Sequence, residues 1–356
     1  MKQNYFLENL KKTNNYALLL ALFVLSAFKA QTATTFASGF SMPSGLSFDA
    51  SGNLYVANYQ NNEIKKTGPT GQNIVTLGSG FNLPTGIVVA SNGTIYLADY
   101  GNSTIKKMDS NGQNIVSIKS GLSMPTEIAI DSSGNLYVVE AGFARILKMD
   151  ANGGNMVAIA SGFSVPTGIA MSTSGNVYVS DISSNKVTKM DANGGNRTII
   201  GTGFSEPRGL AVDGNGNVYV ADNLNKAIKR INAIGGNVVT IYTGNIYPFG
   251  LQFDSSGNLF FSDQMDNTIK KIAAFTLSTT ENIPQNFSVY PNPAKDYVMV
   301  SNLKKGAEVT LLDATGKVVY STKTTETTLN INTSSCLNGV YIVMVDGKAT
   351  KLLISK

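Results

Sequence analysis

Seven residues of this chain are suited to chemistry or recognition: Tyr59, Tyr100, Glu127, Glu140, Phe143, Arg208 and Phe249. A glutamate such as Glu127 or Glu140 could serve as general base, with the Arg208 guanidinium stabilising negative charge, in a hydrolase or lyase. The aromatic residues with Arg208 could equally bind a carbohydrate or peptide by stacking and hydrogen bonding. The 356 residues contain no histidine and one cysteine, Cys336. That removes Ser-His-Asp and Cys-His nucleophiles and every histidine-ligated zinc site. Two oxygen-rich strings, Asp131-Ser-Ser-Gly-Asn135 and Asp150-Ala-Asn-Gly-Gly-Asn155, lack the spacing and distant bidentate glutamate of a calcium loop. They read as turns. No cofactor and no metal site is expected.

The elements that must position these residues come from a repeat. A proline recurs at Pro43, Pro84, Pro125, Pro166, Pro207 and Pro248, always 41 residues apart. A turn glycine (Gly52 to Gly257) and a strand aromatic (Tyr55 to Phe260) keep the same step. Alternation and turn formers mark four short strands per copy, in the fourth near Gly168–Met171, Asn176–Ser180, Lys186–Met190 and Arg197–Gly201. Four antiparallel strands at a period near 40 describe a propeller blade. The segment Thr34–Phe40 is in register with a fourth strand, and the sixth copy stops after its third, near Ile272. An N-terminal strand therefore closes a six-bladed ring, which removes free sheet edges.

Against this register the seven residues are the departures. Glu127 replaces a glycine present in the other five copies, and Arg208 and Phe249 replace Ser or Thr. Glu140 and Phe143 change the second loop, and Tyr59 and Tyr100 add aromatics. The column Asn58, Asp99, Glu140, Asp181, Asp222 and Asp263 recurs in every copy and reads as structural, accepting loop amides. Lys66, Lys107, Lys148, Lys189, Arg230 and Lys271 recur likewise, and read as long side chains lying over apolar neighbours.

The unit P-x-G-[ILV]-x-x-D-x-x-G-N-[LV]-Y-[VL]-[AS]-D, followed by I-K-K, resembles the NHL repeat over about residues 34–275. It is also similar to the six-bladed propellers of the gluconolactonase and virginiamycin B lyase groups. The resemblance implies the fold; function is carried by sites grafted on it. The lyase resemblance implies an active-site histidine, which this chain lacks. The lactonase resemblance implies a divalent metal held partly by Asn or Asp in P-[ND]-G. Here that position is Ser44, Thr85, Thr126, Thr167, Arg208 and Phe249.

At the N-terminus, Lys2, Lys11 and Lys12 precede an apolar run from Ala17 to Phe28 with small residues around Ala27 and Ala30. Residues 1–30 read as an export signal cut after Ala30, too short for a membrane span. The propeller is expected over residues 31–275, a polar linker over 276–285, and a small β-sandwich over 286–356. This tail resembles the C-terminal sorting domain of type IX secretion in Bacteroidetes, through Tyr290-Pro291-Asn292-Pro293, Gly339-Val340-Tyr341 and the closing Lys351–Lys356. That resemblance implies the type IX machinery as partner and a secreted or surface-attached product.

The net charge of +5 falls as +3 on residues 1–30, +2 on the tail from Glu281 and zero on the propeller. Nucleic acid is therefore a poor partner. The expectation is an all-β, exported, monomeric propeller that binds an extracellular carbohydrate or protein ligand without catalysis. The alternatives are a gluconolactonase- or lyase-like enzyme using Glu127 or Glu140, and a structural cell-surface protein.

Overall fold

The computed structural model describes residues 31–274 except 234 and 237, and residues 287–356 except 314–317 and 347. The expected export signal and linker lie outside the described residues. The chain forms two compact units that divide between Phe275 and Thr276.

The first unit is a six-bladed propeller of four-stranded antiparallel sheets. In the fourth blade the strands are Pro166–Met171, Val177–Asp181, Lys186–Met190 and Thr198–Gly201. Most of the hairpin turns are held by an aspartate that folds back on its own loop. The Asp131 carboxylate accepts Ser133 N (2.9 Å), Asn135 N (2.8 Å) and Asn135 Nδ2 (2.9 Å), and Gly134 supplies φ +83°. Asp150 does the same with Asn152 N, Gly154 N and Asn155 Nδ2. The oxygen-rich strings thus spend their acceptors on turn amides.

The N-terminal strand takes the fourth place in the last sheet of this unit. Strand Ala33–Ala37 pairs antiparallel with Thr268–Ile272 and completes the sheet begun by Pro248–Phe253 and Leu259–Asp263. Phe36 of that strand and Phe48 of the first blade each meet the Phe260 ring edge-on, with centroids 4.9 Å apart.

The innermost strands, beginning at each repeat proline, are stitched to one another around the channel. Ser44 Oγ donates to Thr85 O (2.8 Å), Thr126 Oγ1 to Thr167 O (3.0 Å) and Thr167 Oγ1 to Pro207 O (3.3 Å). Ser262 Oγ donates to Ser44 O (2.7 Å) and joins last blade to first. The P-x-G hydroxyls are therefore committed to holding blades together. In the other blades the glycine at the third position is set by proximity: a Cβ on Gly168 would stand 2.2 Å from Arg208 O, and one on Gly250 2.3 Å from Ser44 O, whereas blade three carries Glu127 there.

The second unit packs a three-stranded sheet (Ser288–Tyr290, Tyr297–Ser301, Thr328–Asn332) with a four-stranded one (Glu308–Asp313, Val318–Lys323, Gly339–Val345, Lys348–Ile354). Val298, Val300, Ile331, Val309, Leu311, Val343 and Leu352 form its core, with Cys336 packed against it. Its three motifs meet. Asn292 Nδ2 donates to Lys351 O (2.8 Å), Leu353 N donates to Asn292 Oδ1 (2.9 Å), and Gly339 pairs with Ile354. Tyr341 is buried and donates to Leu337 O, whereas Tyr290 is exposed.

Candidate functional site

The recurring carboxylate column is a scaffold beneath the upper loops. Asp99 Oδ1 accepts Asn82 N (2.7 Å), Glu140 Oε1 accepts Ser123 N (2.8 Å) and Asp222 Oδ1 accepts Ser205 N (2.7 Å). Each is fully buried and carries a counter-ion from the third strand: Lys106 on Asp99 (2.7 Å), Arg145 on Glu140 (2.5 Å) and Lys229 on Asp222 (2.6 Å). Glu140 is thus the longer version of a structural aspartate, matched by an arginine. Glu140→Ala is expected to destabilise by about 1–3 kcal/mol, because Ser123 N–H and Arg145 lose their acceptor. Thermal unfolding of that variant checks this.

The other basic column lies over rings, with Lys66 5.0 Å from the centroid of Tyr55, Lys148 5.1 Å from Tyr137 and Lys271 5.4 Å from Phe260.

Above the stitched ring is a cavity of about 300 Å³. Four of the seven residues line it: Tyr59, Tyr100, Arg208 and Phe249. Tyr59 and Tyr100 each open a short 3-10 turn directly after their column residue, Asn58 or Asp99. The Tyr59 phenol is held above its ordinary pKa, by burial first and then by proximity to Tyr100. Arg208 stacks on Phe249 at 5.0 Å and gives one Nη2 hydrogen bond to Glu206 (2.9 Å), which leaves most of its donors for other partners. Arg208 is the one charged residue of the lining.

The remaining three lie elsewhere. Phe143 is exposed and stacks under Arg145 at 5.1 Å, outside the cavity. Glu140 is in the scaffold. Glu127 lines a second cavity, of about 310 Å³, formed by the other ends of the inner strands.

Sequence reasoning missed Met42, Met124, Ile182 and Gln264, which also line the upper cavity. Ile182 and Gln264 share the 41-residue register of Tyr59 and Tyr100, and that register was the available signal. Met42 and Met124, each before a proline, have φ +46° and +53°, and Leu83 and Glu206 at the same place in other blades have φ +50°, so this left-handed backbone belongs to the repeat.

Among solved structures, this chain is similar to a streptogramin B lyase (17% identity, TM-score 0.55), covering 68% of this chain and 97% of that one. It is similar to a gluconolactonase from Xanthomonas campestris (15% identity, TM-score 0.61; 69% and 92% covered). It is also similar to a protein of unknown function from Bacteroides thetaiotaomicron (17% identity, TM-score 0.58; 68% and 76% covered). These likenesses establish the fold. No curated protein matches the chain. Residues 288–356 match the secretion system C-terminal sorting domain, so the protein is exported by the type IX route and is secreted or surface-attached. Residues 30–298 match the virginiamycin B lyase family, and the chain belongs to that family.

Proposed function

We propose that the propeller is a binding module without catalysis of its own, which takes a carbohydrate or peptide into the upper cavity after export. The observation that supports this most is the composition of that cavity. Aromatic faces (Tyr59, Tyr100, Phe249), a forked donor (Arg208) and an amide (Gln264) converge without a carboxylate or histidine. Such a lining stacks and hydrogen-bonds but offers no general base. The chain has no counterpart to the lyase histidine. The position that would supply Asn or Asp to a lactonase metal holds Ser44, Thr85, Thr126, Thr167, Arg208 and Phe249, none of which is a carboxylate or amide. Glu127 and Glu140 lie outside the cavity that holds Arg208.

Glycan and peptide arrays probed with the full chain, in calcium and in chelator, test this reading. Binding that survives chelation and falls at least about tenfold in Arg208→Ala is expected, as for a charged hydrogen-bonding anchor. Calcium-dependent turnover would favour the enzyme, and silence in both buffers a structural surface role. Export further implies a mature species lacking residues 1–30 and the tail after about Gln285, which intact-mass analysis of the secreted form would read.

A further inference from the structure

The second cavity, on the far side of the stitched ring from Tyr59 and Arg208, has its own chemistry. Its walls are the later residues of all six inner strands, including Leu46, Ile87, Ile128, Ile169, Leu210 and Leu251, with Phe48 and Phe253. Ser47, Glu127 and Gln252 are the polar side chains of its lining, and Glu127 is the one ionisable group. Ser47 Oγ is already engaged with Val89 N (3.0 Å). Each inner strand is the terminal member of its sheet, so one backbone edge of each has no ladder partner.

Glu127 stands where the other five blades have glycine. Its carboxyl fills the hollow that Gly86 leaves on the neighbouring blade: a Cβ on Gly86 would stand 2.4 Å from Glu127 Oε1. Backbone N–H groups of Ile128 (3.2 Å) and Ile87 hold the carboxyl in place. The residue is half-buried, and its carboxyl lies along the wall of the cavity. No ion pair to it is present among the described residues, in contrast to Glu140 with Arg145. A half-buried carboxyl on an aliphatic cavity wall without a counter-ion is a costly arrangement for structure alone, since glycine closes the same position in five blades.

We propose that this cavity binds a small organic ammonium ion, with Glu127 and free backbone carbonyls of the inner strands taking the charge and the aliphatic ring taking the carbon body. One carboxylate is too little for a divalent ion, which wants several oxygen ligands. An anion would meet Glu127 unfavourably, and a cavity of about 310 Å³ is far larger than a bare monovalent ion. Burial, outweighing the two N–H bonds, pushes the Glu127 pKa up to about 8, so the empty site holds a neutral acid at pH 7. Binding a cation beside it favours ionisation, and the proton leaves to solvent as the ammonium enters.

The test is calorimetric titration of the full chain with n-butylammonium, against n-butanol, potassium and ammonium chloride as controls. Affinity should rise about tenfold between pH 7 and pH 9, as the fraction of ionised Glu127 grows. At pH 7 binding should release about one proton, read from the dependence of the heat on buffer ionisation enthalpy. Glu127→Gln and Glu127→Gly should each lose the binding, and the second restores the glycine of the other repeats, which keeps folding out of question. Equal affinity in Glu127→Gln, equal affinity for n-butanol, potassium binding as tightly as butylammonium, or no binding at pH 9 would each overturn the proposal.

Discussion

Phe260→Ala is expected to cost the propeller about 3–5 kcal/mol, the range for emptying a buried aromatic site. Phe260 is 2% exposed and meets Phe36 from the N-terminal strand and Phe48 from the first blade. One side chain therefore joins the strand that closes the ring, the last blade and the first. Its removal leaves a cavity at the seam, where the chain must bring together residues more than 200 positions apart. For a domain of this size the loss corresponds to a fall in Tm of roughly ten degrees or more. Melting of the variant, with Phe143→Ala as an exposed aromatic control, checks it. A shift no larger than the control's would mean that the seam is not where the ring's cooperativity lies.

The second large effect is a pH dependence of stability set by Glu127. Its folded pKa, about 8, lies above the ordinary carboxylate value of 4.5 from which burial raises it. Below the ordinary value both folded and unfolded chains hold the proton, and burial of the neutral acid costs little. Between the two values the unfolded chain releases its proton while the folded chain keeps it, so stability falls as pH rises and levels off above about 8. A tenfold change in proton affinity is worth about 1.4 kcal/mol, and access of water through the channel reduces the total to a few kcal/mol. Glu127→Gln cannot ionise. Its stability relative to the parent should therefore increase from pH 5 to pH 9, measured by denaturant unfolding. Parallel profiles for the two proteins would show that Glu127 ionises as freely folded as unfolded.

The placement of the loop residues illustrates how much the sequence disclosed. Tyr59, Tyr100, Arg208 and Phe249 stood out as departures from a strict register, and the fold gathers them in one cavity. Glu140 stood out by the same criterion, yet it performs the work of Asp99 and Asp222 one methylene further out, with Arg145 in place of lysine. A departure shows that a position tolerates change; it does not show which way the side chain points. The P-x-G hydroxyls of Ser44, Thr85 and Thr167, read in the sequence only as absent metal ligands, prove to be inter-blade hydrogen-bond donors.

The sequence by itself determined the blades, the hairpin turns, the closing strand and the address. Those follow from periods of two within strands and 41 between blades, from glycine at positive φ, and from contiguous tail motifs. Only the tertiary structure separated Glu127 from Arg208. The repeat places them at near-equivalent positions of blades three and five, one at the third and one at the second residue of the inner strand. The ladder register shifts between Pro125 and Ile128 and between Pro207 and Leu210, and the ring of stitched carbonyls lies between the two levels. A single step along the strand thus carries Arg208 into the upper cavity and Glu127 into the lower one. Register fixes equivalence around the axis, but depth along the axis is set by packing between blades that the sequence does not print.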